Sequence, residues 1–272
     1  MKICYELYTT AGNVRKNNQD NYYLNGYLKQ TGNDEDEMSG TSESGNQVFA
    51  VCDGMGGIDS GEIASEIAVR MLRELCLEQS VFNWERYIQK VNHSICQYQK
   101  EQQISMGTTF AGLSVSSSKV IAVNVGDSRI YQIRKGKIRQ LSRDHNEYQM
   151  MLEAGIKADD RTIKMSRCRL TQFLGIPKDL FDLEPHIVEE SVIEGDIYLL
   201  CSDGLYGVLS DHQMLDMIKK GQNSDHLCKK MAELAKYMGS RDNITVMLVY
   251  FGEKKKRMHL FGKIFMKHRK CE

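Results

Sequence analysis

Gln47-Val48-Phe49-Ala50-Val51-Cys52-Asp53-Gly54-Met55-Gly56-Gly57 is an apolar run that ends on a carboxylate and a glycine-rich turn. A run that is apolar almost throughout fits a strand covered on both faces, and so a central one. Gly54 lets the backbone approach closely beside the carboxylate, and Gly56 and Gly57 free the turn into the next helix. Taken alone, the motif reads equally well as a plain glycine-rich turn. The pattern recurs, however. Residues 120–125 run into Gly126-Asp127, and residues 197–201 run into Ser202-Asp203-Gly204. Asp20 and Asp242 do the reverse, preceding the strand-like runs 21–24 and 244–251. In an antiparallel sheet the C-terminal end of one strand lies beside the N-terminal end of its neighbour, so all five carboxylates can gather at one edge of one core. Packed carboxylates repel one another and burial raises the cost of their charge. Hard divalent cations such as Mg²⁺ or Mn²⁺ offset both effects.

Outward from that stretch, strands are predicted at 3–10, 108–115, 130–134, 138–141 and 186–192, besides the five runs above, of which 197–201 extends back to Asp196. Residues 60–78 carry Ile63, Ala64, Ile67, Ala68, Met71, Leu72 and Leu75 at the spacing of a buried helical stripe. Residues 83–103 repeat that pattern with Trp84, Tyr87, Ile88, Val91, Ile95 and Tyr98. Further helices are expected at 146–154, 211–219 and 225–238. The Gly/Ser/Asp/Glu-rich stretch 29–47 reads as a solvated loop between paired strands. Residues 142–185 are the least regular part and fit a mobile flap. Strands outnumber helices, and the helices come in pairs between strand groups. The expectation is one α+β domain of two sheets packed face to face with helices outside, followed by a basic tail.

Lys+Arg and Asp+Glu balance at 36 each. Residues 253–272 hold eight Lys and Arg against Glu253 and Glu272, a net of +6, which leaves −6 on the rest. A mildly acidic body suits a cation site and argues against a nucleic-acid-binding face. The chain is 41% hydrophobic and 26% charged, which predicts a folded core rather than disorder. None of the eight cysteines forms a C-x-x-C pair, so free, mostly buried thiols in a reducing compartment are expected. The N-terminal residues lack the apolar stretch of a signal peptide, and no apolar run approaches a membrane span. These features together point to the cytoplasm.

Arg15 lies five residues before Asp20 in Arg15-Lys16-Asn17-Asn18-Gln19-Asp20. Its planar guanidinium suits bidentate contact with phosphate, although a solvated surface arginine is the commoner fate of such a residue. The whole set, in order, resembles the metal-dependent protein phosphatases of the protein phosphatase 2C family. The matching pieces are Arg15 with Asn18-Gln19-Asp20, Asp53 to Gly57, Met106-Gly107-Thr108-Thr109, Val125-Gly126-Asp127-Ser128-Arg129, Leu141-Ser142-Arg143-Asp144-His145, residues 170–175, Gly195-Asp196 with Ser202-Asp203-Gly204, and Asp242-Asn243-Ile244-Thr245. No single piece is specific, but the ordered set is. The DGMGG form and the compact length resemble the bacterial branch.

The resemblance implies a four-layer α-β-β-α sandwich of two antiparallel sheets flanked by helices, with residues 1–252 as the catalytic domain and 253–272 as the tail. It also implies a centre of two Mn²⁺ or Mg²⁺ ions between the sheets. Asp53 would bridge both ions, Asp203 and Asp242 would hold the first, and Asp20 and the Gly54 carbonyl would complete the second. Asp127, with Asp203, matches the place of a third, weaker ion. Arg15 would grip the substrate phosphate. A hydroxide shared by two ions about 3.5–4 Å apart would attack phosphorus in line, opposite the serine or threonine oxygen. No cysteine sits in a Cys-x5-Arg loop, which counts against a phosphocysteine route. Met55 stands where animal members carry a histidine proposed as general acid; His145 is nearby in sequence, but its ordinary reading is structural.

The function expected is hydrolysis of phosphoserine and phosphothreonine in proteins, opposing a bacterial Ser/Thr kinase. Two alternatives belong to other classes. One is a catalytically silent pseudophosphatase that binds phosphoproteins; it would be expected to lose an aspartate or Arg15, and here all are present. The other is an adaptor acting through the tail. Met258, Phe261, Ile264 and Phe265 fall at helical spacing among basic residues, which suits an anionic membrane surface or a partner's groove. A frayed charged terminus is the favoured reading.

Overall fold

A computed structural model of the chain describes residues 1–43, 46–57, 60–78, 83–116, 118–178, 180–221 and 224–252. The basic tail, and with it the expected amphipathic helix, lies outside the described residues. In chain order the strands are β1 (Ile3–Thr10), β2 (Asn21–Leu24), β3 (Tyr27–Leu28), β4 (Glu35–Ser42), β5 (Gln47–Cys52), β6 (Gly54–Gly56), β7 (Met106–Thr108), β8 (Phe110–Val115), β9 (Lys119–Val125), β10 (Arg129–Arg134), β11 (Lys137–Gln140), β12 (His186–Ser191), β13 (Ile197–Cys201) and β14 (Ile244–Phe251). The helices are α1 (Ser60–Glu78), α2 (Trp84–Gln102), α3 (Glu147–Glu153), α4 (Asp160–Arg167), α5 (Asp203–Tyr206), α6 (Asp211–Gly221) and α7 (Leu227–Tyr237).

Two six-stranded sheets carry the fold. One has the order β11-β10-β13-β14-β1-β4, the other β12-β9-β8-β5-β2-β3, and all their pairings are antiparallel. Side-chain alternation along the central strands explains the unbroken apolar runs. On β5, Phe49 and Val51 face the space between the sheets, where they join Leu7, Tyr22, Leu113, Leu200 and Met247. Val48, Ala50 and Cys52 face outward onto Ala64, Ala68, Leu72, Tyr87 and Val91 of α1 and α2. On β14, Met247, Val249 and Phe251 point between the sheets. Ile244, Val246, Leu248 and Tyr250 pack on α6 and α7, against Met214, Ile218, Met231 and Ala235. Both faces are thus buried, and the result is the expected α-β-β-α sandwich. Each fully buried aliphatic side chain contributes about 1.5–3 kcal/mol to that packing.

The helical stripes fold as their spacing predicts. Asn83 caps α2 by accepting from the Arg86 N–H at 2.8 Å, and Trp84, Tyr87, Ile88, Val91 and Ile95 are buried. The Tyr87 hydroxyl donates to the Ala68 carbonyl at 2.8 Å, tying α2 to α1. No helix among the described residues is long and apolar enough to cross a membrane. The expectation of free thiols is met at Cys4, Cys52, Cys201 and Cys228, which are buried; Cys76 and Cys96 are half-buried and Cys168 is exposed.

Three local expectations are corrected. The stretch 29–47 is not wholly a loop: β4 pairs along all of β1 as an edge strand. Its residues lack apolar alternation, so its order comes from the β1 backbone and from two tyrosines. Tyr8 donates to Glu35 at 2.8 Å and Tyr22 to Asp36 at 2.6 Å. The run 108–115 breaks at Thr109, leaving β7 to pair with β6 in a separate two-stranded ribbon. Residues 160–167 are a helix rather than turns, capped by Asp159, which accepts from the Thr162 N–H at 2.7 Å. Asp203 stands just past the end of β13, as expected, and opens a short helix, α5.

Candidate metal centre

Five aspartates sit around the end of the sandwich where β5, β9 and β13 finish and β2 and β14 begin, and hydroxyl and amide side chains fix the backbone at each. The Asp53 N–H donates to Thr109 Oγ1 at 2.9 Å, and the Asp53 carbonyl accepts from the Thr109 N–H at 2.9 Å and from Thr108 Oγ1 at 3.0 Å. Thr109 Oγ1 also bonds Ser128 Oγ at 2.6 Å, joining the Asp53 and Asp127 loops. The break in the strand at Thr109 therefore serves to clamp Asp53. Gly54 is obligatory for a different reason. A Cβ there would stand 2.1 Å from the Gly61 carbonyl oxygen and 2.5 Å from that of Gln19, so only glycine lets the α1 entrance and the Asp20 loop close on it.

Asp20 is fully buried. Its Oδ2 accepts from Ser202 Oγ and Thr245 Oγ1, each at 2.7 Å, while its Oδ1 is buried without a partner. Asn18 sets the preceding turn, accepting from the Asp20 N–H at 3.1 Å and donating to Thr9 Oγ1 at 2.8 Å. Lys29, its side chain wholly buried, donates to the Asn18 carbonyl and lies 3.5 Å from Glu62. Asn243 accepts from the Gln19 N–H at 2.9 Å and donates to the carbonyls of Ala11 and Asn17 at 3.1 and 3.0 Å. A Cβ on Gly204 would meet the Asn243 carbonyl oxygen at 2.0 Å, so the Asp203 and Asp242 loops are in direct contact. Asp242 is gripped by Arg15, whose Nε and Nη2 donate to its two oxygens at 2.9 and 2.7 Å.

Burial, followed by the charges of Asp20, Asp203, Asp127 and Asp242, holds the Asp53 carboxyl well above the usual carboxylate range. Asp203 is raised likewise, by burial and then by Asp127, Asp242 and Asp20, with Arg15 pulling the other way. Asp20 is pushed up to about 6, chiefly by burial, against the lowering effect of its two hydroxyl donors. Asp127 is also pushed up to about 6, by burial and by Asp144. These groups share one field and repel one another through it. The Asp203 Oδ1, like the Asp20 Oδ1, is buried without a hydrogen-bond partner. Two orphaned carboxylate oxygens among mutually repelling acids fit a hard cation far better than they fit water or a cationic side chain. Among the described residues no three Asp, Glu, His or Cys side chains already converge closely enough to hold an ion by themselves. One of the five acids, Asp242, is engaged by Arg15 through both of its oxygens.

The other sequence motifs are structural supports. Arg129 donates to Asp144 at 2.6 Å and lies 3.8 Å over the Tyr206 ring, whose hydroxyl donates to the Asp127 carbonyl at 2.8 Å. His145 Nδ1 accepts from the Gly126 N–H at 3.3 Å. Burial drives its pKa down to about 4, so it is a neutral strut at pH 7 and not an acid in waiting. The hydroxyls that hold the acids, Thr109, Ser202 and Thr245, were quoted in the sequence motifs without a role. The one signal for them was a hydroxyl residue within a few positions of a strand end.

The family model described as protein phosphatase 2C matches residues 28–243. The serine/threonine phosphatase stp of Listeria welshimeri is 31% identical over 255 residues, spanning 90% of this chain and 94% of the relative. The solved serine/threonine phosphatase of S. agalactiae superposes with a TM-score of 0.77 at 27% identity, covering 92% of this chain and 99% of that one. The catalytic domain of the serine/threonine protein phosphatase PstP, solved in complex with two manganese ions, superposes with a TM-score of 0.73 at 24% identity, covering 93% and 100%. At that identity it speaks for the fold.

Proposed function

The chain belongs to the protein phosphatase 2C family and is a serine/threonine phosphatase of the bacterial type, and from that premise we propose that residues 1–252 are a metal-dependent catalytic domain that hydrolyses phosphoserine and phosphothreonine in proteins, opposing a Ser/Thr kinase. The observation that carries the reading is the set of five aspartates at one end of the sandwich, of which Asp53 and Asp203 are raised by burial and by the charges of their neighbours, and Asp20 and Asp203 each keep an orphaned buried oxygen. Asp53, Asp203 and Asp242 would hold one divalent cation, Asp53, Asp20 and the Gly54 carbonyl a second, and Asp127 with Asp203 a weaker third; Mn²⁺ and Mg²⁺ suit these oxygen donors. When bound, the two main ions would supply a shared hydroxide as nucleophile and positive charge for the phosphoryl oxygens.

The protein's own residues do the rest. Asp53 is held rigid by Thr108 and Thr109, and Asp20 by Ser202 and Thr245, so the acids are oriented before substrate arrives. Arg15 is exposed beside them on the solvent side of Asp242. Its fork-shaped guanidinium, now on a carboxylate, presents the same two N–H groups that a phosphoryl group accepts. Met55 cannot donate a proton and His145 is a neutral strut that accepts from the Gly126 N–H, so protonation of the leaving oxygen is assigned to solvent at the centre. The test is Mn²⁺-dependent phosphate release from a phosphothreonine peptide, with Asp203→Asn alongside. Turnover lost on chelation and in the variant supports the reading. A folded protein without turnover in either Mn²⁺ or Mg²⁺ would favour a silent phosphoprotein-binding module.

A further inference from the structure

We propose that Arg241 is a specificity-determining residue, reading an anionic group on the substrate residue next to the phosphorylated one. This inference rests on the phosphatase reading above and names a substrate class within it. A cavity of about 430 Å³ opens beside the aspartate centre, lined by Asp203 and Asp242 together with Arg15 and Arg241. Its size suits one or two residues of an extended peptide. Gly204, Gly207 and Gly239 line it, and at Gly239 a Cβ would meet nothing within 4 Å, so the space is open to solvent.

The backbone that carries Arg241 is fixed on both sides. The Ser240 N–H donates to the Ala235 carbonyl at 3.0 Å and its Oγ to the Gly204 carbonyl at 2.8 Å. On the other side, Asn243 is anchored to Ala11, Asn17 and Gln19. A long cationic side chain therefore leaves a rigid base at the mouth of the cavity. Arg15, Arg129, Arg134 and Arg143 each pair with a carboxylate. Arg241 is exposed, and among the described residues it has no ion-pair or hydrogen-bond partner. The two acids in the cavity wall are already spoken for, Asp242 by Arg15 in this structure and both Asp242 and Asp203 by the cation proposed above once it is bound. An unpaired guanidinium on a fixed backbone, next to the place where the phosphoryl group is hydrolysed, is complementary to an anion that arrives on the same peptide. The shared chemistry is an anionic side chain, which is either the carboxylate of Asp or Glu or a second phosphoryl group.

The experiment uses the full chain with Mn²⁺ and a set of phosphothreonine peptides. One carries alanine on both sides, others carry glutamate at each of the two positions before and after the phosphothreonine, and a last group carries a non-hydrolysable phosphonate there. The readout is the ratio of kcat/KM on each anionic peptide to that on the alanine peptide. For the natural chain the best glutamate position is expected to exceed alanine about five-fold, through KM, as befits one solvent-exposed ion pair. In Arg241→Ala the ratio falls to about one, in Arg241→Glu it falls below one, and Arg241→Lys keeps part of the preference. A phosphonate ratio above the glutamate ratio identifies a second phosphoryl group as the anion read; the reverse identifies a carboxylate. A natural-chain ratio near one for every peptide, or a ratio unmoved by Arg241→Glu, overturns the inference while leaving the phosphatase reading intact. Absence of turnover on all peptides, alanine included, overturns that reading and this inference with it.

Discussion

Replacing Asp203 by asparagine should stabilise the metal-free protein while removing its activity. Each buried carboxylate of the centre is ionised at a free-energy cost that the unfolded chain does not bear. Asp20 and Asp127 set the scale: raising a carboxyl from 3.8 to about 6 disfavours its ionised form in the fold by on the order of 3 kcal/mol. The sign follows from linkage. A carboxyl with a raised folded pKa binds its proton more tightly folded than unfolded, so stability falls as pH rises from the unfolded pKa through the folded one. For Asp20 and Asp127 the penalty is nearly complete above about pH 6, and Asp203 is shifted in the same direction. Asparagine keeps the size of Asp203, removes one charge from a field shared with Asp127, Asp242 and Asp20, and should gain about 2–3 kcal/mol at pH 7.5. For a domain of this size that is a rise in Tm of roughly 5–10 °C. The assay is thermal and urea unfolding of both proteins in EDTA, at pH 7.5 and pH 5, repeated with Mn²⁺. In EDTA the variant should be the more stable, by a margin that narrows at pH 5. With Mn²⁺ at about 100 times its Kd the natural chain should gain about 2.7 kcal/mol for each ion bound, and the variant less. If the variant is less stable than the natural chain in EDTA at pH 7.5, Asp203 is held by interactions that outweigh repulsion, and the reasoning fails.

Three further outcomes follow from the same geometry. Gly54→Ala places a Cβ 2.1 Å from a backbone oxygen and should destabilise the fold by about 3 kcal/mol or more, visible in urea unfolding. Thr109→Ala strips the Asp53 N–H and Ser128 of a partner; it should cost about 1–3 kcal/mol and weaken Mn²⁺ binding by calorimetry, with Thr109→Ser restoring both. Arg15→Ala should raise KM for a phosphopeptide about ten-fold or more. It should also leave Mn²⁺ affinity equal or higher, because Asp242 no longer has to part from a bidentate arginine; weaker Mn²⁺ binding would contradict that.

The parts of the fold that could be read from sequence are those where burial on two faces writes itself into composition. The alternation in β5 and β14 serves two different cores, so every position is apolar, and the helical stripes of α1 and α2 match their buried faces. The aspartates were legible because each stands at the limit of such a run. What was hidden is the order made by polar groups. β4 is a strand because β1 offers it an edge and Tyr8 and Tyr22 hold its acids, and nothing local in Glu35-Asp36-Glu37-Met38 announces that. α4 is eight residues long with one buried side chain, Ser166, too little apolar surface to leave a period. The break at Thr109 depends on Asp53, 56 positions earlier. The sequence presents Arg15 as a phosphate ligand; its grip on Asp242 is a tertiary contact across 227 positions that no spacing rule encodes.

The central claim, that five aspartates form one centre for divalent cations, is tested most directly by counting and coupling Mn²⁺ on the purified chain. Equilibrium dialysis with metal analysis, followed by electron paramagnetic resonance of the loaded protein, should give two tightly bound Mn²⁺ per chain with a spin-coupled signal. Asp53→Asn should lose the coupling, and Asp127→Asn should spare both tight ions. Stoichiometric binding of a single, uncoupled Mn²⁺, or binding unaffected by Asp53→Asn, would contradict the claim.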